Sequence, residues 1–99
     1  MRSILLGDIV ALARALLAVP SGERPALARR TIAEAHMAHH VFKRFGRPHA
    51  TWGNGSLMAR ANGLPQRREP FADDPDYLAA LREVIEALLA NRAVAVTAP

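Results

Sequence analysis

Apolar residues recur at helical spacing, every three or four positions, in three segments of the chain that prolines and glycines separate. At 100° per residue, the apolar positions of each segment fall on one face, as in an amphipathic helix. No segment shows the alternation of apolar and polar residues, rich in β-branched side chains, that is typical of a half-buried strand. The sequence therefore predicts an all-α fold. Its 99 residues are enough for one small domain.

The first segment predicts a helix over residues 4–18. Asp8 and Arg14 fall outside the arc of its leucines, isoleucine and alanines, so both charged residues are expected away from the core. Ser3 is the expected N-cap, because its hydroxyl can accept a free backbone N–H. Pro20 separates this helix from the next, since the residue before a proline is disfavoured in the helical region.

The second segment predicts a helix over 23–45, which Gly46 ends in the left-handed conformation. The residues expected on its buried side are Leu27, Ala28, Thr31, Ile32, Ala35, Ala38, Phe42 and Phe45. Phenylalanine at the end of this side is expected to fill one end of the bundle.

The last segment predicts a helix over 75–91, with Asp74 as its N-cap and a flexible tail over 93–99. The residues expected to share its buried face are Tyr77, Leu78, Leu81, Val84, Ile85, Leu88 and Leu89. On the other face, Arg82 and Glu86 have the i,i+4 spacing of a helical ion pair.

Between the second and last helices lies a connector rich in proline and glycine, in which residues 57–61 read as a short helix capped by Ser56. The predicted architecture is a compact three-helix bundle with a fourth short helix in an irregular connector. These helices are expected to form a single domain over residues 1–92.

Cysteine is absent, which excludes disulfides and thiolate chemistry and favours a reducing compartment. The longest apolar stretch, Ile4–Val19, carries two charges and is too short to span a bilayer. The sequence therefore predicts a cytoplasmic protein. No membrane contact is expected.

The sequence contains no recognisable catalytic set. The G-x-S-x-G and H-E-x-x-H motifs are absent, and no two carboxylates share an apolar face, as general acid–base catalysis would require. We therefore expect no catalysis and no cofactor. His36 and His40, one turn apart, have a spacing that can chelate a metal ion, and His49 lies further along the chain. This set is incomplete, so no metal site is predicted.

Charge is distributed unevenly along the chain, which carries 13 basic and 9 acidic residues for a formal net charge of +4. Residues 1–72 are basic and residues 73–99 are acidic. Such a dipolar chain suits docking on a partner as well as binding phosphate. The cations expected on the outer side of the second helix are Arg29, Arg30, Lys43 and Arg44, which makes a nucleic-acid-binding module the alternative function.

The segment from Thr51 to Ser56 admits two readings. Its glycines could turn backbone N–H groups towards an anion with help from Arg60, or they could form a tight turn before a serine cap. Trp52, the only tryptophan, either covers the open end of the bundle or anchors a protein partner.

Three stretches of the chain resemble a family of small uncharacterised bacterial proteins. The motifs that carry the resemblance are Gly7–Arg14, Phe45–His49 with Trp52–Met58, and Asp73–Tyr77. The resemblance implies a free-standing domain of unknown function, and it assigns no activity, ligand or functional residue.

Taken together, these features predict a small helical interaction protein, an adaptor or accessory subunit. The residues expected to contact another protein are Trp52, Asn54, Met58 and Arg60. A further alternative is that the chain folds as a homo-oligomer.

Overall fold

Four α-helices make up most of the molecule, a computed structural model in which residues 1–97 are described, with side chains through Arg92. They are α1 (Leu6–Leu16), α2 (Arg24–Phe45), α3 (Leu57–Asn62) and α4 (Pro75–Thr97). The three longer helices form the bundle, and α3 lies in the connector. The predicted all-α architecture, a three-helix bundle with a fourth short helix, is confirmed.

Most helix ends lie where the capping residues predict them. Gly46 follows α2 with φ +71°, and the Ser56 hydroxyl accepts a hydrogen bond from the Ala59 N–H at 3.0 Å. The Asp74 carboxylate accepts one from the Tyr77 N–H at 3.0 Å. Each capping residue forms its hydrogen bond with a backbone group only a few residues away, so the cap can be predicted from the local sequence.

The first helix is shorter than predicted, and its cap is not Ser3. α1 begins at Leu6 with Leu5 as the N-cap residue, and it ends at Leu16. The Asp8 carboxylate accepts a hydrogen bond from the Leu5 N–H at 2.7 Å. This carboxylate pairs with the backbone N–H of the N-cap residue and so fixes the first turn. The helix therefore begins two residues later than the apolar pattern predicts.

The last helix is longer than predicted, since α4 passes Asn91 and continues to Thr97. The flexible tail predicted over 93–99 stays a prediction, because residues 98 and 99 lie outside the described part of the chain. The single domain predicted over residues 1–92 likewise stays a prediction.

The core forms around α1, which packs against α3 and α4, while α2 packs against α4 and α3. Asp8 is buried, so the prediction that it lies away from the core is wrong, whereas Arg14 is half-buried. α1 is covered on more sides than an amphipathic surface helix. The buried apolar cluster comprises Ala11, Leu12, Ala13, Ala15, Leu16, Leu17, Ala28, Ile32, Ala35, Leu57, Ala61, Tyr77, Ala80, Val84 and Ala87.

Two predictions of buried faces need correction. Phe45, expected to fill the end of the bundle, is exposed. On α4, Tyr77, Val84 and two alanines are buried and the predicted Leu81 and Leu88 pack against the core, whereas the predicted core residues Leu78, Ile85 and Leu89 face outward. Alanine at the contact lets the helices approach closely, which rotates the larger side chains of α4 towards solvent.

Among the described residues, no helix combines the length and apolarity needed to span a membrane.

Candidate functional site

Hydrogen bonds to the side chain of His49 stabilise the loop between α2 and α3. Its Nδ1 atom accepts hydrogen bonds from the N–H groups of Thr51 at 3.0 Å and Trp52 at 2.9 Å. The backbones of His49 and Gly53 exchange two further hydrogen bonds, at 2.8 and 3.2 Å. The loop is therefore closed on itself and holds its central residues in one conformation.

The two glycines of the Trp-Gly-Asn-Gly segment let this loop lie directly on the helices. Gly53 and Gly55 have φ values of +84° and +100°, a region that side chains other than glycine rarely adopt. A Cβ atom on Gly55 would lie 2.6 Å from the Cα of His39, in the middle of α2. The Gly55 carbonyl in turn accepts a hydrogen bond from the Arg2 N–H at 3.1 Å.

Trp52 is half-buried and stacks on the ring of His49, with ring centroids 4.6 Å apart and planes 8° from parallel. Its indole is thus held by a loop that has few other conformations available. Met58, the other apolar candidate, lies in the first turn of α3 and is 39% exposed. Both side chains leave apolar surface in contact with solvent beside a rigid backbone.

The other two residues predicted to contact a partner have structural partners of their own. The Asn54 side-chain oxygen accepts a hydrogen bond from the Ser56 N–H at 3.1 Å. The Arg60 guanidinium is paired with the Glu34 carboxylate at 2.7 Å, and its side chain is only 11% exposed. The site residues therefore divide into two that face solvent and two that hold the loop and α3 in place.

The hydrogen bonds in residues 51–56 also test the interpretation of this segment as an anion-binding loop. The N–H of Gly53 donates to a carbonyl, and the N–H groups of Trp52 and Ser56 donate to side chains. Arg60 is engaged by Glu34. Turn and cap chemistry thus accounts for these groups.

The outer side of α2 carries two pairs of cations, one towards each end of the helix, which we call the basic face and define as Arg29, Arg30, Lys43 and Arg44. All four side chains are exposed. The only acidic residue on α2 is Glu34, and Arg60 neutralises it. The one carboxylate between the two pairs along α2 is thus already paired, and the four cations of the basic face have no acidic partner on their own helix.

His36 and His40 lie on the same side of α2 and meet at their Nε2 atoms, 3.1 Å apart. The other ring nitrogen of His36 lies 2.7 Å from the amine of Met1, while His49 is engaged in the loop. Within the described residues, no group of three or more His, Cys, Asp or Glu side chains is arranged to hold a metal ion. The pair supplies two ligands at chelating spacing and no third.

Burial and positive neighbours lower the pKa values of two histidines on α2. For His36 the cause is burial, then the positive charges of the N-terminal amine and His40. For His39 it is burial, then the N-terminal amine, Lys43, Arg2 and His40. The Nδ1 atom of His39 is buried without a hydrogen-bond partner.

These lowered pKa values predict that the folded state loses stability as the pH falls. Below the ordinary histidine pKa of about 6.5, the unfolded chain takes up protons that the folded chain resists, which favours unfolding. The urea concentration at the midpoint of unfolding should therefore decrease as the pH is lowered from 7.5 to 5.5. The decrease should be smaller in His36→Gln and in His39→Gln. A midpoint that stays constant over this interval in the parent protein would contradict the prediction.

Three residues with long-range contacts were not identified from the sequence: Asp8 beside the site, and Arg24 and Asp76 at the starts of α2 and α4. Asp8 also accepts a hydrogen bond from the Met58 N–H at 2.8 Å, which ties α3 to α1. Arg24 is buried, donates from Nε to the Leu16 carbonyl at 2.9 Å and binds the Asp76 carboxylate through its two terminal guanidinium nitrogens. This pairing lowers the pKa of Asp76. Only Asp8 carried a local signal, an acid three residues after a helix start.

A groove of about 660 Å³ lies between the N-terminal segment, α2 and the C-terminal half of α4. Arg2, His36 and Arg92 are among its polar lining residues, and Ile85 and Leu89 border it on their partly exposed side. Its apolar lining residues are Met1, Ile4, Ile9, Ile85, Leu88 and Leu89. None of the described residues that line the groove is a carboxylate.

The chain belongs to a family that is described as a domain of unknown function (DUF7742), whose model matches residues 2–88. No curated protein and no solved structure matches the chain. The resemblance to an uncharacterised family is thus confirmed at the level of the family.

Proposed function

We propose that this member of the family is a small cytoplasmic interaction protein, of bacterial origin, that acts by binding another protein and performs no catalysis of its own. The observation that carries the proposal is the presentation of Trp52 by a rigid loop. The Trp-Gly-Asn-Gly-Ser-Leu-Met stretch, residues 52–58, would then be the motif that marks the family's binding loop.

A half-exposed tryptophan on a fixed backbone suits an interface anchor. Binding costs free energy wherever a loop or side chain must be ordered, and this loop is already ordered by His49 and by its contact with α2. Tryptophan is also among the residues most often found at interface hot spots. In this proposal Trp52 and Met58 contact the partner, whereas Asn54 and Arg60 hold the loop and α3 in position.

Trp52→Ala tests the anchor. We expect affinity for the partner to fall about 30-fold or more, as is usual for a hot-spot residue, measured by titration well below the unfolding temperature. Trp52→Phe keeps an aromatic ring to stack on His49 and should retain more of the affinity. Arg67→Ala, on the exposed part of the connector, is the control and should leave affinity unchanged.

The partner itself can be obtained with a photo-crosslinking residue at Thr51, next to the anchor, and with the same residue at exposed Ala26 as a control. A protein adduct from position 51 that survives nuclease and is absent from position 26 supports the proposal. If Trp52→Ala lowers only thermal stability and leaves binding intact, Trp52 is a lid and the proposal fails.

The basic face favours a second candidate function, nucleic-acid binding. Its four exposed cations lie along about 22 Å of helix at 1.5 Å per residue. A helix of this kind can contact successive phosphates without reading bases. The dipolar charge of the chain weakens the field, because its acidic residues are concentrated in α4 and just before it.

Salt dependence tests this second candidate. If all four cations of the basic face contact phosphates, affinity for a short DNA duplex should fall roughly 100-fold between 50 and 200 mM salt. Replacing Lys43 and Arg44 with glutamine should reduce the slope of the salt dependence by about half. Glutamine at Arg67 and Arg68 is the matched control. Affinity that does not change with salt would exclude this function.

A further inference from the structure

The outward side of α4 is apolar in its middle, which is unusual for a helix that already packs against a core. Leu78, Ile85 and Leu89 are 49%, 46% and 62% exposed. At 100° per residue they fall within about 40° of arc and extend over roughly 16 Å of helix. We call this strip the α4 stripe.

Charges at the two ends of the α4 stripe have opposite sign. Asp74 precedes the helix and Arg92 follows the last leucine, at the same angular position on the helix surface. Beside the stripe, Arg82 and Glu86 are 72% and 62% exposed and lie 3.8 Å apart. An ion pair this exposed contributes little within one chain, so both groups remain available to a second surface.

The spacing of these residues makes the α4 stripe complementary to itself in one orientation. If a second copy runs antiparallel, Leu78 lies opposite Leu89, Arg82 opposite Glu86, and Asp74 opposite Arg92. In each of the three pairs, the point halfway between the two residues along the helix lies at residues 83 to 84. A single two-fold axis passing through that point therefore brings all three pairs together. A parallel copy would instead bring Asp74 to Asp74 and Arg92 to Arg92.

We infer that the α4 stripe is the interface of a symmetric dimer in which the α4 helices of two copies pack antiparallel. The occupant is a second copy because the stripe carries its own charge complement. Each copy contributes three large apolar side chains, a small interface. The dimer is therefore concentration-dependent, approaching twice the 10.7 kDa chain mass at high concentration.

Engineered cysteines test both the dimer and its direction, because the chain has no cysteine of its own. Leu78→Cys and Leu89→Cys are prepared separately and oxidised alone and as a mixture. In the antiparallel dimer, two copies of residue 78 lie about 16 Å apart along the axis, beyond the roughly 7 Å that a disulfide can bridge. Only the mixture should form a disulfide-linked dimer.

The other outcomes overturn the inference. Linkage of each single variant with itself would mean a parallel pair, and an absence of linkage in the mixture would mean that the stripe is not an interface between copies. Cysteine at exposed Ala33 on α2 measures linkage by random collision. Equal linkage from that position would also count against the dimer.

Charge reversal gives an independent measurement on folded protein without cysteines. Arg82→Glu should weaken the dimer roughly tenfold by light scattering, because it turns two attractive pairs into repulsive ones. Combining it with Glu86→Arg should restore the dimer. Arg47→Glu, in the exposed segment that follows α2, should leave the dimer unchanged. A double variant that is as monomeric as Arg82→Glu alone would refute the proposed pairing.

Discussion

Gly55→Ala is expected to destabilise the protein by about 4 kcal/mol, since two separate costs coincide at this position. An alanine would have to adopt φ near +100°. Its Cβ atom would also lie 2.6 Å from the Cα and 2.7 Å from the Cβ of His39. Both atoms belong to the middle of α2, which cannot move aside without disturbing its contacts with α3 and α4.

Substitutions at two other glycines distinguish the cost of the positive φ from the cost of the steric contact. Gly46 has φ +71° but open space around its Cβ position, whereas Gly22 has neither a positive φ nor a neighbour within 4 Å. Gly46→Ala should therefore lose about 1–2 kcal/mol from the backbone alone, and Gly22→Ala should change stability by less than about 1 kcal/mol.

Thermal unfolding of the three variants measures this series. Gly55→Ala should lower Tm by roughly 15–30 °C, given about 4–8 °C per kcal/mol for a domain of this size. A Gly55→Ala variant no less stable than Gly46→Ala would mean that the loop does not rest on α2. The rigid presentation of Trp52 would then lose its basis.

These glycines and the helix caps differ in how well their roles can be predicted from the sequence. Gly46, Ser56 and Asp74 satisfy backbone groups within four residues of themselves, so the helix ends that they set could be predicted from local chemistry. Gly55 reads locally as a turn residue. Its second role, contact with His39, depends on a packing arrangement that the sequence does not display.

One edge of the buried face of α4 was mispredicted for a related reason. Its apolar residues cover a wide arc, and a helical wheel does not indicate which edge of that arc meets the neighbouring helices. The contact falls on Ala80 and Ala87, where the backbones approach closely, and leaves Ile85 outside. The pairing of Arg60 with Glu34 was equally invisible, since 26 positions separate the two residues.

Asp8→Ala is the second substitution for which we expect a large effect, about 3–5 kcal/mol of lost stability. The carboxylate is 5% exposed and accepts hydrogen bonds from Leu5 at the start of α1 and from Met58 in the first turn of α3. Alanine would leave both N–H groups without this acceptor. Exposed Asp73→Ala is the matched control and should change stability by less than about 0.5 kcal/mol.

Asp8→Asn separates the two hydrogen bonds. An asparagine keeps one oxygen acceptor and places an NH₂ group where the second N–H approaches, so about half of the loss is expected. Urea denaturation measures the total, and amide hydrogen exchange at Leu5 and Met58 locates it. Protection at Met58 that survives Asp8→Ala would contradict the proposed link between the helices.

The consequence of this link extends to the candidate site. Met58 lies on α3, and α3 follows directly from the loop that carries Trp52, so Asp8 fixes both apolar candidates relative to α1. Asp8→Asn should therefore weaken partner binding more than an equally destabilising change elsewhere, such as Val84→Ala in the core of α4. Equal binding by these two variants at equal stability would show that the site does not depend on the position of α3.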